Sequence, residues 1–401
     1  MTEYEGELLS YLSLTPHLKV LRSCGVFPLD PSSSNLKIRL HGVYICISFS
    51  LIILYTLLQI IHVFQVRTDI EKVMDAMFLL LTFLDCIFKQ VMFMKKPHKI
   101  LEMLNIMKGP SFNQGLDEHR PLLVRTINHA KFLLRLFNKL CIVTCFLWIT
   151  LPVYLHFKKE TVEFTIWVPF DTNENSKFYI VICYVWMQTT WLGLNNSTMD
   201  IFIVYLFAQI KTQICILRLN LENLVSRCQE ESRSSSHSFT EHLEWRFRGI
   251  IYHYNQIIKF SKINEEIFSS AILFQFLISG WIICTTAYRT INMNPFSGEF
   301  LSMILYMICI LSELFLFCFY GNEVAHESRR LMESAYCMQW EEMPVKYRRY
   351  LIIFMERIKS CILPKAGKIV PLSINTFAQI VKTSYTFYTF LSNSNANYAD
   401  E

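Results

Sequence analysis

Chain breakers and charge are both scarce in this sequence. Only 11 glycines and 12 prolines punctuate 401 residues, and charged side chains make up 18%. So few breakers exclude collagen-like repeats, and so little charge over an apolar chain excludes disorder. A Gly-rich phosphate loop, a dinucleotide fingerprint, a zinc-protease helix and a nucleophile elbow are all missing; His326–Glu327 lacks the second histidine of a metal helix. The sequence carries no enzyme signature, so catalytic residues, metal and cofactor are not expected. Paired half-chain repeats of the transporter kind are also missing. A net charge of +5 is weak support for nucleic acid, and no such partner is expected.

Apolar residues are abundant: 52% of the chain, with 32 phenylalanines. A surface that apolar suits lipid. Crossing ~30 Å of hydrocarbon takes about 20 apolar residues, and seven runs qualify: Leu40–Ile61, Ile70–Met94, Leu136–Phe157, Phe178–Ile210, Ile267–Tyr288, Phe300–Tyr320 and Leu372–Leu391. The second half of the fourth run, with Asn195, Asn196, Ser197 and Asp200, is expected to leave the bilayer as helix. Helical patterning continues through Glu241–Asn264 and Tyr347–Ser360, and strands have no evident place. The predicted fold class is all-α: a polytopic membrane protein of seven transmembrane helices, extended into a cytosolic anchor region.

Orientation follows from the basic residues. Alternate connections, starting with the N-terminal segment, hold 29 Lys and Arg, and the opposite side holds five. The positive-inside rule then predicts a cytosolic N-terminus and an extracellular C-terminus. The first residues lack a basic stretch followed by an apolar core, as a secretory signal would have, and carry Glu3, Glu5 and Glu7 instead. None of the 13 cysteines falls in an outer connection. Cys24, Cys228, Cys337 and Cys361 lie in inner segments, where thiols stay reduced. The sequons at Asn195 and Asn196 sit in or just inside the fourth run and are expected to be unglycosylated. Seven spans suggest a G-protein-coupled receptor, but this charge pattern puts both termini on the wrong sides for one.

The last third of the chain carries ordered motifs. Leu316-Phe317-Cys318-Phe319-Tyr320-Gly321-Asn322-Glu323-Val324 is followed by Glu327-Ser328, Ala335-Tyr336 and Trp340. Downstream come Ala366-Gly367, Pro371-Leu372-Ser373, Thr376-Phe377, Lys382 and Ser384-Tyr385; Gly25-Val26-Phe27-Pro28 precedes the first span. In this order the motifs resemble those of insect odorant receptors. The final helix lacks the Thr-Tyr…Gln-Phe ending of the related gustatory receptors. The connection between spans four and five lacks the large insertion of the shared co-receptor, so the chain looks like a ligand-tuning subunit.

The resemblance implies an odorant-gated, non-selective cation channel in the plasma membrane of olfactory neurons. It would assemble as a heterotetramer with the co-receptor, with the last helix lining the pore. Helical spacing puts Ser384, Tyr388 and Leu391 on one face of that helix, as candidates for an apolar constriction. A small volatile ligand needs a closed, mostly apolar pocket, which the resemblance puts in the outer halves of the spans. Those halves supply Met74, Met77, Phe78, Trp148, Ile149, Cys183, Met187, Trp191, Ser279, Ile282, Met303 and Tyr306. The resulting expectation divides the chain into a cytosolic segment 1–39, six spans with the pocket over 40–320, a cytosolic loop and anchor helix 321–371, a pore helix 372–391 and an extracellular tail 392–401. Trp245, Tyr336, Trp340 and Tyr347, with arginines beside them, are expected at the subunit interface. Lys382 needs a partner or water at membrane depth; Glu313 and Asp200 are candidates, and Asp85 and Lys89 are spaced to pair with each other on one helix or with Lys139 on the third span.

Overall fold

The structure is a computed structural model. It describes residues 9–29, 33–114, 118–159, 162, 164–169, 174–291, 293–294 and 297–399, and the side chains at 9, 70, 71, 151 and 391–399 are outside that description. Twelve α-helices are found among these residues. Two short ones, α1 (Leu9–Leu12) and α2 (Thr15–Ser23), precede α3 (Asn35–Gln65), α4 (Ile70–Lys95) and α5 (Pro97–Lys108). Then come α6 (Arg120–Phe157), α7 (Asn175–Glu222), α8 (Leu224–Ser234), α9 (Phe239–Ile291), α10 (Gly298–Cys337), α11 (Val345–Ile358) and α12 (Ile374–Ala399).

Six of these helices (α3, α4, α6, α7, α9 and α10) are long and apolar enough to cross a membrane. They coincide with the first six predicted runs. The predicted seventh lies on α12, whose 26 residues are long enough at ~1.5 Å each. Asn375, Gln379, Lys382, Thr383 and Thr386 interrupt its apolar surface, and a helix so interrupted is not apolar on every side.

The helices overrun the predicted spans. α6 begins well before Leu136, and α7, α9 and α10 run on as unbroken helices of 48, 53 and 40 residues. Ion pairs hold these extensions together, as between Lys211 and Glu323 at 2.6 Å and between Arg218 and Glu327. The helical patterning predicted at Glu241–Asn264 is the first half of α9, and that at Tyr347–Ser360 is α11. On α11, Tyr347, Leu351, Phe354 and Ile358 recur at helical spacing and are buried, with Phe354 edge-on to Tyr254 of α9.

The expectation of no strands needs one correction. Lys365–Ala366 pairs antiparallel with Val370–Pro371, with Ala366 opposite Val370. Gly367 and Lys368 turn the chain with φ of 57° and 63°, the left-handed pair that a tight hairpin requires. The Gly367 N–H donates to the Ser269 carbonyl on α9 at 2.7 Å. A Cβ on Gly367 would lie 2.3 Å from Leu273, so conformation and space both demand glycine. A Cβ on Gly321 of α10 would sit 2.3 Å from the Leu372 Cβ. These two glycines, both in the motif block, let the start of α12 close onto α9 and α10.

Candidate functional site

Helix α7 runs through the middle of the bundle, packed on α6, α9 and α10. A cavity of about 90 Å³ lies between α4, α6, α7 and α10. Phe78, Leu79 and Thr82 face it from α4, and Cys141, Thr144, Cys145 and Trp148 from α6. Helix α7 contributes Thr189, Leu192, Gly193, Asn196 and Ser197; helix α10 contributes Ser302, Met303, Tyr306, Cys309, Ile310 and Glu313. Phe78 stands at the centre of an aromatic wall, edge-on to Trp148 at 5.9 Å and to Tyr306 at 5.6 Å. Such T-shaped pairs set positive ring edges against negative faces.

A second cavity of about 140 Å³ shares Cys145, Trp148 and Thr189 with the first and reaches toward the connection between α6 and α7. Ile149, Pro152, Phe164, Ile182 and Trp186 line it, with Arg289 and Glu299 at one side. Arg289 pairs with Glu299, donates to the Asp75 carbonyl at 3.2 Å and lies 5.2 Å over the Phe78 ring. Composition held no signal for this arginine's role, because it sits beyond the apolar run that ends α9.

The twelve residues predicted to bind ligand divide into four groups. Phe78, Trp148, Met303 and Tyr306 meet around the inner cavity, and Ile149 joins Trp148 at the outer one. Met74 and Met77 are half-buried on α4, and Ser279 and Ile282 are buried on α9; all four line neither cavity. Cys183 and Met187 are exposed, while Trp191 turns to α3, donating from its indole to Ser48 Oγ at 3.2 Å. Residues 183, 187 and 191 share one face of α7, and Thr189, Gly193 and Asn196 share another. Apolar content marked the first face, but packing puts the second one inward.

Polar contacts on the cavity wall are mostly satisfied locally. Thr82 donates to the Phe78 carbonyl at 2.8 Å and accepts from the Tyr306 hydroxyl. Thr144, Thr189 and Ser302 donate to helix carbonyls at 2.9, 2.8 and 3.1 Å. Below the cavity, Lys89 is fully buried. Its Nζ lies 2.7 Å from Asp85, 2.7 Å from Asp200 and 3.0 Å from the side-chain Oδ1 of Asn196. The Gln275 amide donates to Asp200 at 3.1 Å. The predicted pairing of Asp85 with Lys89 is therefore found, with Asp200 added to it. Asn195–Asp200 is buried within the bundle.

Lys382 is exposed on α12 and has no carboxylate partner among the described residues, which corrects the expectation that Glu313 or Asp200 would pair with it. The reason is position: α12 rests on α9, and Lys89 of α4 takes Asp200 instead. Ser384 is buried, 3.5 Å from where a Cβ on Gly280 of α9 would lie. Tyr388 is half-buried and tilted against Tyr385 at 6.2 Å; the Leu391 side chain lies outside the described residues. The opposite face of α12, with Asn375, Gln379, Lys382 and Thr386, is open.

A family model described as "7tm Odorant receptor" matches residues 69–385. Odorant receptor 94a of Drosophila melanogaster is 25% identical over 234 residues, a region covering 57% of each protein. Odorant receptor 46a, isoform B, of the same fly is 22% identical over 366 residues, 88% of this chain and 90% of that one. Among solved structures, the olfactory receptor OR5 of Machilis hrabei in complex with eugenol superposes with a TM-score of 0.80 at 18% identity, over 96% of this chain and 99% of its own. That likeness shows the same seven-helix membrane fold, which is not an enzyme fold. The family match takes in most of the chain, both cavities and nearly all of the motif block; the chain belongs to the odorant receptor family of insects.

Proposed function

We propose that this chain is a ligand-tuning subunit of an odorant-gated, non-selective cation channel that assembles with the shared co-receptor. A small volatile enters the paired cavities, and its binding opens a path bordered by α12. The observation that carries the reading is the inner cavity: small, walled by Phe78, Trp148, Met303 and Tyr306, and placed inside the membrane bundle. Broad aromatic faces and a flexible thioether suit recognition by dispersion and shape. OR5, the receptor of matching fold, is described in complex with eugenol, itself a small aromatic volatile.

Lys382 supports conduction along α12. A charge facing lipid at membrane depth costs at least ~2.5 kcal/mol, and a water-filled path between subunits removes that cost. The path follows the open face of α12 that carries Lys382, while Ser384 on the opposite face holds the helix to α9. Orientation follows the basic residues, with a cytosolic N-terminus and an extracellular C-terminus. The anchor is the interface around the tetramer axis. Trp245 and Tyr336 are exposed at 72% and 66%, and Ile352 and Ile353 of α11 are exposed as well, open apolar side chains that suit burial against another subunit. Trp340 is half-buried and Tyr347 is buried in the same region.

Co-expression with the co-receptor and an odorant panel read as membrane current tests this function. The expected result is a current that survives G-protein blockade and requires both chains. A response abolished by the blockade would favour a G-protein-coupled receptor, and a C-terminal tag inaccessible on intact cells would overturn the orientation.

A further inference from the structure

The one carboxyl on the wall of the inner cavity is unspent. Glu313 of α10 lines the cavity, is 3% exposed, and its Oε2 has no hydrogen-bond partner among the described residues. The neighbouring hydroxyls of Thr82, Thr144, Thr189 and Ser302 are already committed to helix carbonyls. Asn196 is also committed, to Lys89 and Asp200. Glu313 adjoins a buried group of charges in which Asp85 and Asp200 already share the one cation, Lys89. Three carboxyl groups share a single ammonium in a low-dielectric interior, with the Glu313 carboxyl against that of Asp200, and an acceptor left unsatisfied there is costly.

We propose that Glu313 is the polar recognition group of this cavity and selects volatiles that carry a hydrogen-bond donor, a hydroxyl or a protonated amine. The inference rests on the odorant-binding reading and gives it a ligand chemistry. The donor satisfies Oε2, while the ligand's apolar body lies against Phe78, Trp148 and Met303. An ether or hydrocarbon of the same shape leaves the acid unpaired, and a site built for a donor rejects a ligand without one more strongly than an apolar pocket rejects a size change.

The test uses benzyl alcohol, benzyl methyl ether, toluene and benzylamine, read as thermal stabilisation of the full-length chain purified in detergent, with channel current as a second readout. Stabilisation reports binding whether or not a channel opens, so failure of the conduction reading and failure of this inference are distinguishable. The expected result is apparent affinity for the alcohol at least about tenfold above that for the ether and toluene. In Glu313→Leu that ratio falls to near one while the ether is unaffected. Glu313→Gln preserves size, should that variant fail to fold; it keeps part of the alcohol preference and loses benzylamine. Benzylamine bound more tightly than the alcohol by the wild type supports the inference and identifies the donor as a cation. Equal stabilisation by alcohol and ether, none by the alcohol, or an unchanged ratio in both variants overturns it.

Discussion

Helices α3 and α7 both cross the bundle, yet they follow opposite rules. α3 is among the more apolar of the six spanning helices and is largely open, with Leu40, Leu54, Leu57 and Phe64 exposed. α7 is the least apolar of the six and the most buried, and it carries Thr189, Asn195, Asn196, Thr198 and Asp200 inside. In water the less apolar helix would be the outer one. Lipid reverses this, because hydrocarbon tails accept apolar side chains at no cost and leave polar groups no partner but other helices. The most polar of the spanning helices is therefore the one other helices surround.

The largest effect that tests this contrast is expected at the buried charges. Lys89→Met leaves Asp85 and Asp200 without their cation, a loss of about 3–5 kcal/mol. Surface biotinylation should show most of the protein retained inside the cell, and normal surface levels would mean those carboxylates are not held as a charged cluster. Next come the cavity walls. Tyr306→Ala removes the ring edge-on to Phe78 and the hydrogen bond to Thr82, so the odorant concentration for half-maximal current should rise at least ~10-fold, with surface levels within about twofold. Trp191→Phe, on the α3-facing side of α7, should move that concentration less than ~3-fold, because it loses only the hydrogen bond to Ser48. A larger shift would put the α3 side of α7 into the ligand site.

Two smaller effects sharpen the same comparison. Lys382→Glu reverses a charge on the open face of α12, and the reversal potential under a sodium–calcium gradient should shift toward that of calcium, with odorant sensitivity unchanged. A fixed reversal potential would put Lys382 away from the ions. At the bottom of the scale, Leu54→Met on the open face of α3 should change thermal stability by less than ~0.5 kcal/mol. A clear loss there would mean that α3 is covered by protein rather than lipid.

Much of the architecture was legible because membranes read sequence coarsely. Seven apolar runs located all the long helices, and the i, i+4 spacing of Asp85 and Lys89 announced their contact. The cavity was half legible. Phe78, Met303 and Tyr306 were found because large side chains at helical spacing stood in the right halves of their spans. Cys183, Met187 and Trp191 lie on a face of α7 that looked equally apolar but turns away from this cavity, with Met187 and Trp191 lining a separate cleft against α3. Lys382 was assigned a carboxylate that Lys89 already held, since nothing local reveals which cation lies nearer to Asp200.

Composition and spacing by themselves determined that this chain is a helical membrane bundle, because backbone groups in hydrocarbon must pair within a helix and apolar runs of sufficient length are unmistakable. Its family was legible only as a resemblance, carried by the ordered motifs from Leu316 to Tyr385. Only the tertiary structure decided which face of each helix turns inward, and with it the cavity, the Asp85–Lys89–Asp200 cluster and the solitary oxygen of Glu313. In lipid, apolar residues are equally stable on either side of a helix, so rotation about the helix axis is fixed by packing against neighbours that the linear pattern does not contain.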